Sequence, residues 1–183
     1  MKKILKKYPN ELKSQISDLS KMLGVILKDQ FPDIKVHVSQ FISDLCPIAK
    51  NEIGAYAKVI IESLCNNMKH QHNKIRKIST TSLCDLLLCG EAGNLIDQCI
   101  PSFTLISNDK NKDTRKIFLT KIADLLKKLN SIYLKKYEDK LFVLLLSGIS
   151  DDDEGNQKYT KELIEDVGKN IYQLTQELNN ENK

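Results

Sequence analysis

Ser43-Asp44-Leu45, Cys84-Asp85-Leu86, Ala123-Asp124-Leu125 and Glu165-Asp166-Val167 repeat one phrase along the chain, with aspartates 41, 39 and 42 residues apart. An interval near 40 residues is the length of one helical hairpin that cannot bury its apolar side alone and stacks on its neighbours. Other columns keep the same register. Two residues before each aspartate stand Ile42, Leu83, Ile122 and Ile164, and one after stand Leu45, Leu86, Leu125 and Val167. Those two columns are three apart and share one helical face. Leu23, Leu64, Phe103 and Leu145 recur 21 residues before the aspartates, and Leu19, Ile60, Cys99 and Leu141 recur 25 before, one helix earlier in each unit.

Composition agrees with an all-α chain. Only 4 prolines and 7 glycines are spread over 183 residues, too few for a β fold with frequent turns, and 41% apolar residues is enough for a packed interior. The expected fold is therefore a right-handed α-solenoid of about four hairpins, forming a single domain over 1–183. The hairpins are expected at about 10–48, 51–90, 93–129 and 131–175, with a polar tail at 176–183 that frays. The first helix of the opening hairpin starts after Pro9-Asn10, near Glu11, and its second helix starts at Pro32, a residue favoured in the first helical turn. The second hairpin reads as one helix over 51–68, a His70-Gln71-His72-Asn73 connector and a second helix closed by Gly90.

A net charge of +4, from 28 basic and 24 acidic side chains, is largely interspersed, which argues against nucleic acid as the ligand. Lys2, Lys3, Lys6 and Lys7 form a local excess that reads as the exposed end of a helix. The 5 cysteines follow no C-x-x-C pattern and fall mostly on apolar positions, as expected of reduced core residues in a cytoplasmic protein. No secretory leader pattern opens the chain. The longest nearly apolar run, 141–149, is far short of the roughly 20 residues that span a bilayer.

Helix geometry assigns places to the recurring charges. At about 100° per residue the two apolar columns define a buried stripe with the aspartate on one edge. Lys35, Arg76 and Arg115, nine residues before their aspartates, fall on the other edge, where the fourth unit has Gln157. In a stack each edge meets a neighbouring unit, so Asp44, Asp85, Asp124, Lys35, Arg76 and Arg115 are expected to set repeat register, alongside solvated edge charges as the alternative. Opposite the stripe lie Val36, Lys77, Lys116 and Lys158, and Pro47, Leu88, Lys127 and Lys169. Lys77, Lys116, Lys127, Lys158 and Lys169 thus form an exposed ridge whose natural complement, if the second helices line the inner curve of the stack, is an acidic segment of a partner protein, with ordinary solubilising lysines as the alternative.

Chemistry of other kinds finds no footing. His70, His72 and Cys65 do not make up a closed four-ligand zinc site. The run Asp151-Asp152-Asp153-Glu154-Gly155 lacks the glycine of a calcium loop at its sixth position, which is Asn156. No phosphate loop or nucleophile motif occurs, so no enzyme activity, metal, cofactor or small-molecule substrate is expected.

Several stretches resemble a HEAT-repeat dynein axonemal assembly factor, the family also called HEAT repeat-containing protein 2. They are Phe31-Pro32-Asp33-Ile34-Lys35, His70-Gln71-His72-Asn73-Lys74-Ile75-Arg76, Leu144-Leu145-Leu146-Ser147-Gly148-Ile149 and Glu165-Asp166-Val167-Gly168, within a likeness running from about Phe31 to Gly168. The family's ladder, an aspartate six residues before an arginine, is matched by Asp109 with Arg115 and, with lysine in place of arginine, by Asp29 with Lys35; it is interrupted at His70 and Gln157. The resemblance implies HEAT-type hairpins and a non-enzymatic role in cytoplasmic preassembly of axonemal dynein arms for motile cilia or flagella. Implied partners are dynein intermediate or heavy chains and other assembly factors. The competing reading is a generic HEAT-repeat adaptor in transport or translation complexes.

Overall fold

The computed structural model describes residues 14–181, and every regular element among them is helical. The starts expected near Glu11 and around the first lysines lie outside the described residues. In chain order the helices are α1 (Ile16–Ile26), α2 (Pro32–Leu45), α3 (Lys50–Ala55), α4 (Lys58–Asn67), α5 (Asn73–Leu87), α6 (Ile96–Ser107), α7 (Lys112–Lys128), α8 (Ser131–Leu146) and α9 (Glu154–Glu181). Short 3-10 segments, Gly90–Leu95 and Ser147–Ser150, precede α6 and follow α8. The chain is an α-solenoid: α2, α5, α7 and α9 pack on one another in succession, while α1, α4, α6 and α8 form the second layer. One continuous apolar core links Ile16 at the start to Val167 at the end.

Local sequence explains most boundaries. Phe31 is extended and Pro32 opens α2, because proline fixes a helical φ and its missing N–H is not needed there. Asn111 caps α7 by accepting the Thr114 N–H at 3.0 Å, and Asn130 caps α8 through the Ile132 N–H at 3.0 Å. Pro101 sits inside α6 and removes one backbone donor from that helix.

The first helix of the second hairpin differs from the expected continuous helix over 51–68. It is broken at Tyr56 and Ala57 into α3 and α4. The short helix before the break sits against neighbouring backbone: α3 packs on the 3-10 segment Gly90–Leu95, and a Cβ on Gly54 would lie 2.2 Å from the Cys89 carbonyl oxygen. Gly90, at φ +46°, supplies the left-handed turn that brings that segment back. The last helix is also longer than expected, since helical backbone continues from 176 to Glu181 through the polar tail.

Candidate functional site

The cation column lies deeper than an edge. Arg76 and Arg115 are only 6% and 7% exposed, and Lys35 is 8% exposed. A two-column apolar stripe underestimates burial here because each second helix inside the stack is covered by its own hairpin partner and by a second helix on either side. α5, for example, packs on α2, α4 and α7.

Each of these cations spans a junction. Arg76 donates from Nε and Nη2 to the two carboxylate oxygens of Asp109 at 2.5 and 2.8 Å, and from Nη1 to the carbonyls of His70 and Gln71 at 2.8 and 2.9 Å. Arg115 repeats the pattern one unit later, with Nε and Nη2 each 2.7 Å from Asp151 and Nη1 2.6 Å from the Asp109 carbonyl. Its Nη2 also meets the exposed Asp152 carboxylate. An arginine therefore grips the backbone of its own connector and the side chain of the next one. Asp109, six residues before Arg115, reaches that arginine through its carbonyl, while its carboxylate belongs to Arg76. Such forked, charge-assisted pairs combine strength with fixed geometry.

The ends of the ladder keep part of this pattern. Gln157 Nε2 donates to the Asp151 carbonyl at 2.6 Å, the own-connector contact without the charge. Lys35 Nζ donates to the Leu27 carbonyl at 2.8 Å and to Asn67 Oδ1 at 3.0 Å, and Asn67 Nδ2 also serves Leu27 at 2.9 Å. No direct pair joins Lys35 to Asp29 among the salt bridges of the described residues. Asp29 instead accepts the Phe31 N–H at 2.8 Å.

That last contact is general. Asp109 accepts the Asn111 N–H at 2.8 Å and Asp151 the Asp153 N–H at 2.9 Å, each two residues on. His70 takes the same part with its ring, accepting the His72 N–H at Nδ1 over 3.1 Å. The histidine therefore supplies the turn but carries no carboxylate for Lys35, which explains why an amide stands in at the first junction. An accepting Nδ1 requires the neutral ring. Burial, with His72, Lys35 and Arg76 adding to it, holds the His70 pKa below its ordinary value.

Electrostatics follow the same division. The hydrogen bond from Arg115 holds the Asp151 carboxyl down at about 2. Asp109 is also lowered: its burial would raise it, but the bonds from Arg76 and the Asn111 N–H prevail. Lys35 is lowered by burial, only partly offset by Asp29.

The repeated aspartates border the exposed face of the second helices. Lys121 on α7 reaches back to Asp85 on α5 at 2.8 Å, Lys128 pairs with Asp124 at 2.8 Å, and Lys127 crosses to Asp166 on α9 at 2.5 Å. Asp44 accepts from Gln40 Nε2 at 3.4 Å. Of the lysine ridge, Lys127 is thus bound to Asp166, and Lys169 lies close enough to help lower that carboxyl. Lys77 is half-buried, and Lys158 and Lys169 are exposed. Lys116 extends over the ring of Tyr159 in the next unit, 4.7 Å from its centroid, and the Tyr159 hydroxyl lies 3.1 Å from Thr120 Oγ1. Lys77, Lys116 and Lys158 form no salt bridge with any described residue.

Small hydroxyl residues, absent from the expected site, make the close helix contacts possible. Ser63 donates to the Gly24 carbonyl at 2.9 Å, and Ser82 to the Ser39 carbonyl at 2.7 Å, each across a junction. Thr80 and Thr160 bond back to carbonyls four residues earlier, at 2.8 and 2.7 Å, and so bury without an unpaired donor. No repeat column signals them, since Ser63, Thr80 and Ser82 stand 22, 5 and 3 residues before Asp85 and Thr160 stands 6 before Asp166.

A family model described as Dynein axonemal assembly factor 5-like, TPR repeats, matches residues 1–183. The chain belongs to that family. No curated protein matches it. Among solved structures, a designed armadillo repeat protein in complex with the peptide (KR)4 is similar at a TM-score of 0.61 and 16% identity, covering 84% of this chain and 68% of that one. Two engineered proteins are similar at TM-scores of 0.58 and 0.57, with 13% and 14% identity. The first alignment covers 95% of this chain and 83% of the other, and the second covers 81% and 37%. These likenesses show the fold, a stacked helical repeat, consistent with the solenoid described for this assembly-factor-5-like chain. Among the described residues no cluster of His, Cys, Asp and Glu is placed to hold a metal, and no helix is long and apolar enough to cross a membrane. The five cysteines are free thiols.

Proposed function

We propose that the chain is a non-enzymatic, protein-binding scaffold in the cytoplasmic preassembly of axonemal dynein arms, with dynein intermediate or heavy chains and other assembly factors as its partners. The observation that carries this reading is the family match over the whole chain. The geometry supports it: buried Arg76–Asp109 and Arg115–Asp151 pairs fix the register of successive hairpins, so the second helices present one pre-organised face. On this reading Asp29, Lys35, Asp44, Asp85 and Asp124 serve the same register, and the ridge Lys77, Lys116, Lys127, Lys158 and Lys169 faces the client. The designed armadillo repeat protein with its (KR)4 peptide is a case of such a fold holding a charged segment. Here the ridge is basic, so the complement is acidic.

Affinity purification from cells building motile cilia tests the proposal. The wild-type chain is expected to recover dynein intermediate or heavy chains, and bait that recovers no dynein subunit overturns the reading.

A further inference from the structure

We infer that the segment held on the second-helix face is an acidic stretch in the polyproline II conformation carrying three carboxylates at every third residue, one each for Lys77, Lys116 and Lys158. This rests on the scaffold reading and names the chemistry of its partner.

The argument begins with which charges are already neutralised. Along the aspartate end of the face, Asp85, Asp124 and Asp166 are paired with Lys121, Lys128 and Lys127. Lys77, Lys116 and Lys158 stand eight residues earlier on their helices and form no such pair with the described residues. Eight helical residues separate the two rows by about 12 Å. That exceeds the screening length of about 8 Å at physiological salt, so the paired aspartates leave the lysine row un-neutralised. Lys116 is held across the third junction by Tyr159, 4.7 Å from the ring centroid, which limits the ordering needed when an anion arrives.

Spacing then selects the shape of the ligand. α5, α7 and α9 pack in direct succession, and packed helix axes lie about 8–10 Å apart. A polyproline II segment has three residues per turn and rises about 3.1 Å per residue, so carboxylates three apart share one side and advance about 9 Å, one step of the lysine row, whereas a β-strand would turn the middle one to its opposite face. The row also has an end. The equivalent position on α2 is Val36, half-buried and uncharged, so a fourth carboxylate finds no partner.

Fluorescence anisotropy with labelled peptides of equal composition tests this, placing three aspartates at every third, at every second or at adjacent positions in a Ser/Gly background. The full chain is expected to bind the every-third peptide at least tenfold more tightly than either permutation. Binding should fall steeply with salt, and a fourth aspartate in register should change affinity less than twofold. K77E/K116E/K158E, and the milder K77Q/K116Q/K158Q, should lose at least tenfold in binding with helical circular dichroism and thermal midpoint unchanged. Equal affinity for the permutations, indifference to either triple substitution, no binding at all, or a preference for a helical peptide with carboxylates seven apart overturns the inference. Should wild-type bait still recover dynein chains while the every-third peptide fails, the scaffold reading stands and only the carboxylate spacing is lost.

Discussion

The first and third junctions of the solenoid solve one problem with different chemistry. At the third, Arg115 meets a full carboxylate in Asp151, with side-chain exposures of 9% and 3%. At the first, Lys35 meets only an amide oxygen and a carbonyl, Asn67 Oδ1 and Leu27 O. The difference traces to two residues, Lys35 in the arginine column and His70 in the connector. His70 replaces the connector aspartate, keeps its turn by accepting the His72 N–H, and leaves the cation across the junction without an acid. A repeat position therefore carries two separable duties, closing a turn and pairing across a junction, and a neutral ring performs the first alone.

The sharpest way to break this comparison is R115A. The substitution strands the buried Asp151 carboxylate, and loss of one partner from a buried pair costs about 3–5 kcal/mol. Urea denaturation is expected to show that loss. A cost no larger than that of the equivalent change at Lys35 would mean that the ionic and neutral junctions are energetically alike.

Acid provides a milder probe of the same pair. Asp151 is held at about 2 against an ordinary 3.8, so its contribution to folding is complete above about pH 4. Between 3.8 and about 2 the unfolded chain binds the proton first, and that contribution is lost as pH falls. Urea midpoints measured across this window are expected to decline in wild type. The decline should be shallower in R115A, where only the bonds from the Asp153 N–H and Asn156 remain to lower Asp151.

The first junction can be converted into the third. K35R with H70D places a guanidinium and a connector carboxylate at the positions that Arg76 and Asp109 occupy one unit later. A double-mutant cycle is expected to give a favourable coupling of about 1–2 kcal/mol. Additivity of the two changes would show that the first junction differs in more than its missing acid.

Much of this architecture was legible in the chain. The aspartate phrase and the columns of Ile42, Leu83 and Ile122 encode hairpin length and buried face, because both depend on periodicity alone. What periodicity does not encode is which neighbour a side chain meets. The six-residue spacing of Asp109 and Arg115 suggests a local couple, yet the carboxylate of each connector serves the arginine of the preceding unit, 33 or 36 residues away. Asn67 lies outside the repeat columns and could not be found from them. The part played by Gly54 was hidden for a related reason: it is small to admit the Cys89 carbonyl, a long-range contact with no local pattern.

The smallest effect is expected from K35M, and it bears most directly on the comparison. Burial lowers the Lys35 pKa, which means that the surroundings disfavour its charge. Removing the ammonium leaves no acid behind to be stranded. The Leu27 carbonyl keeps its bond from Asn67 Nδ2 at 2.9 Å, and methionine retains most of the apolar stem that fills the site. Asn67 Oδ1 loses a donor, at about 1 kcal/mol, while the desolvation penalty of a buried cation disappears. These terms oppose, so thermal and urea unfolding should place K35M within about 1 kcal/mol of wild type. R115M, the same replacement at the third junction, should fall with R115A, because there the uncovered partner is a carboxylate and not an amide.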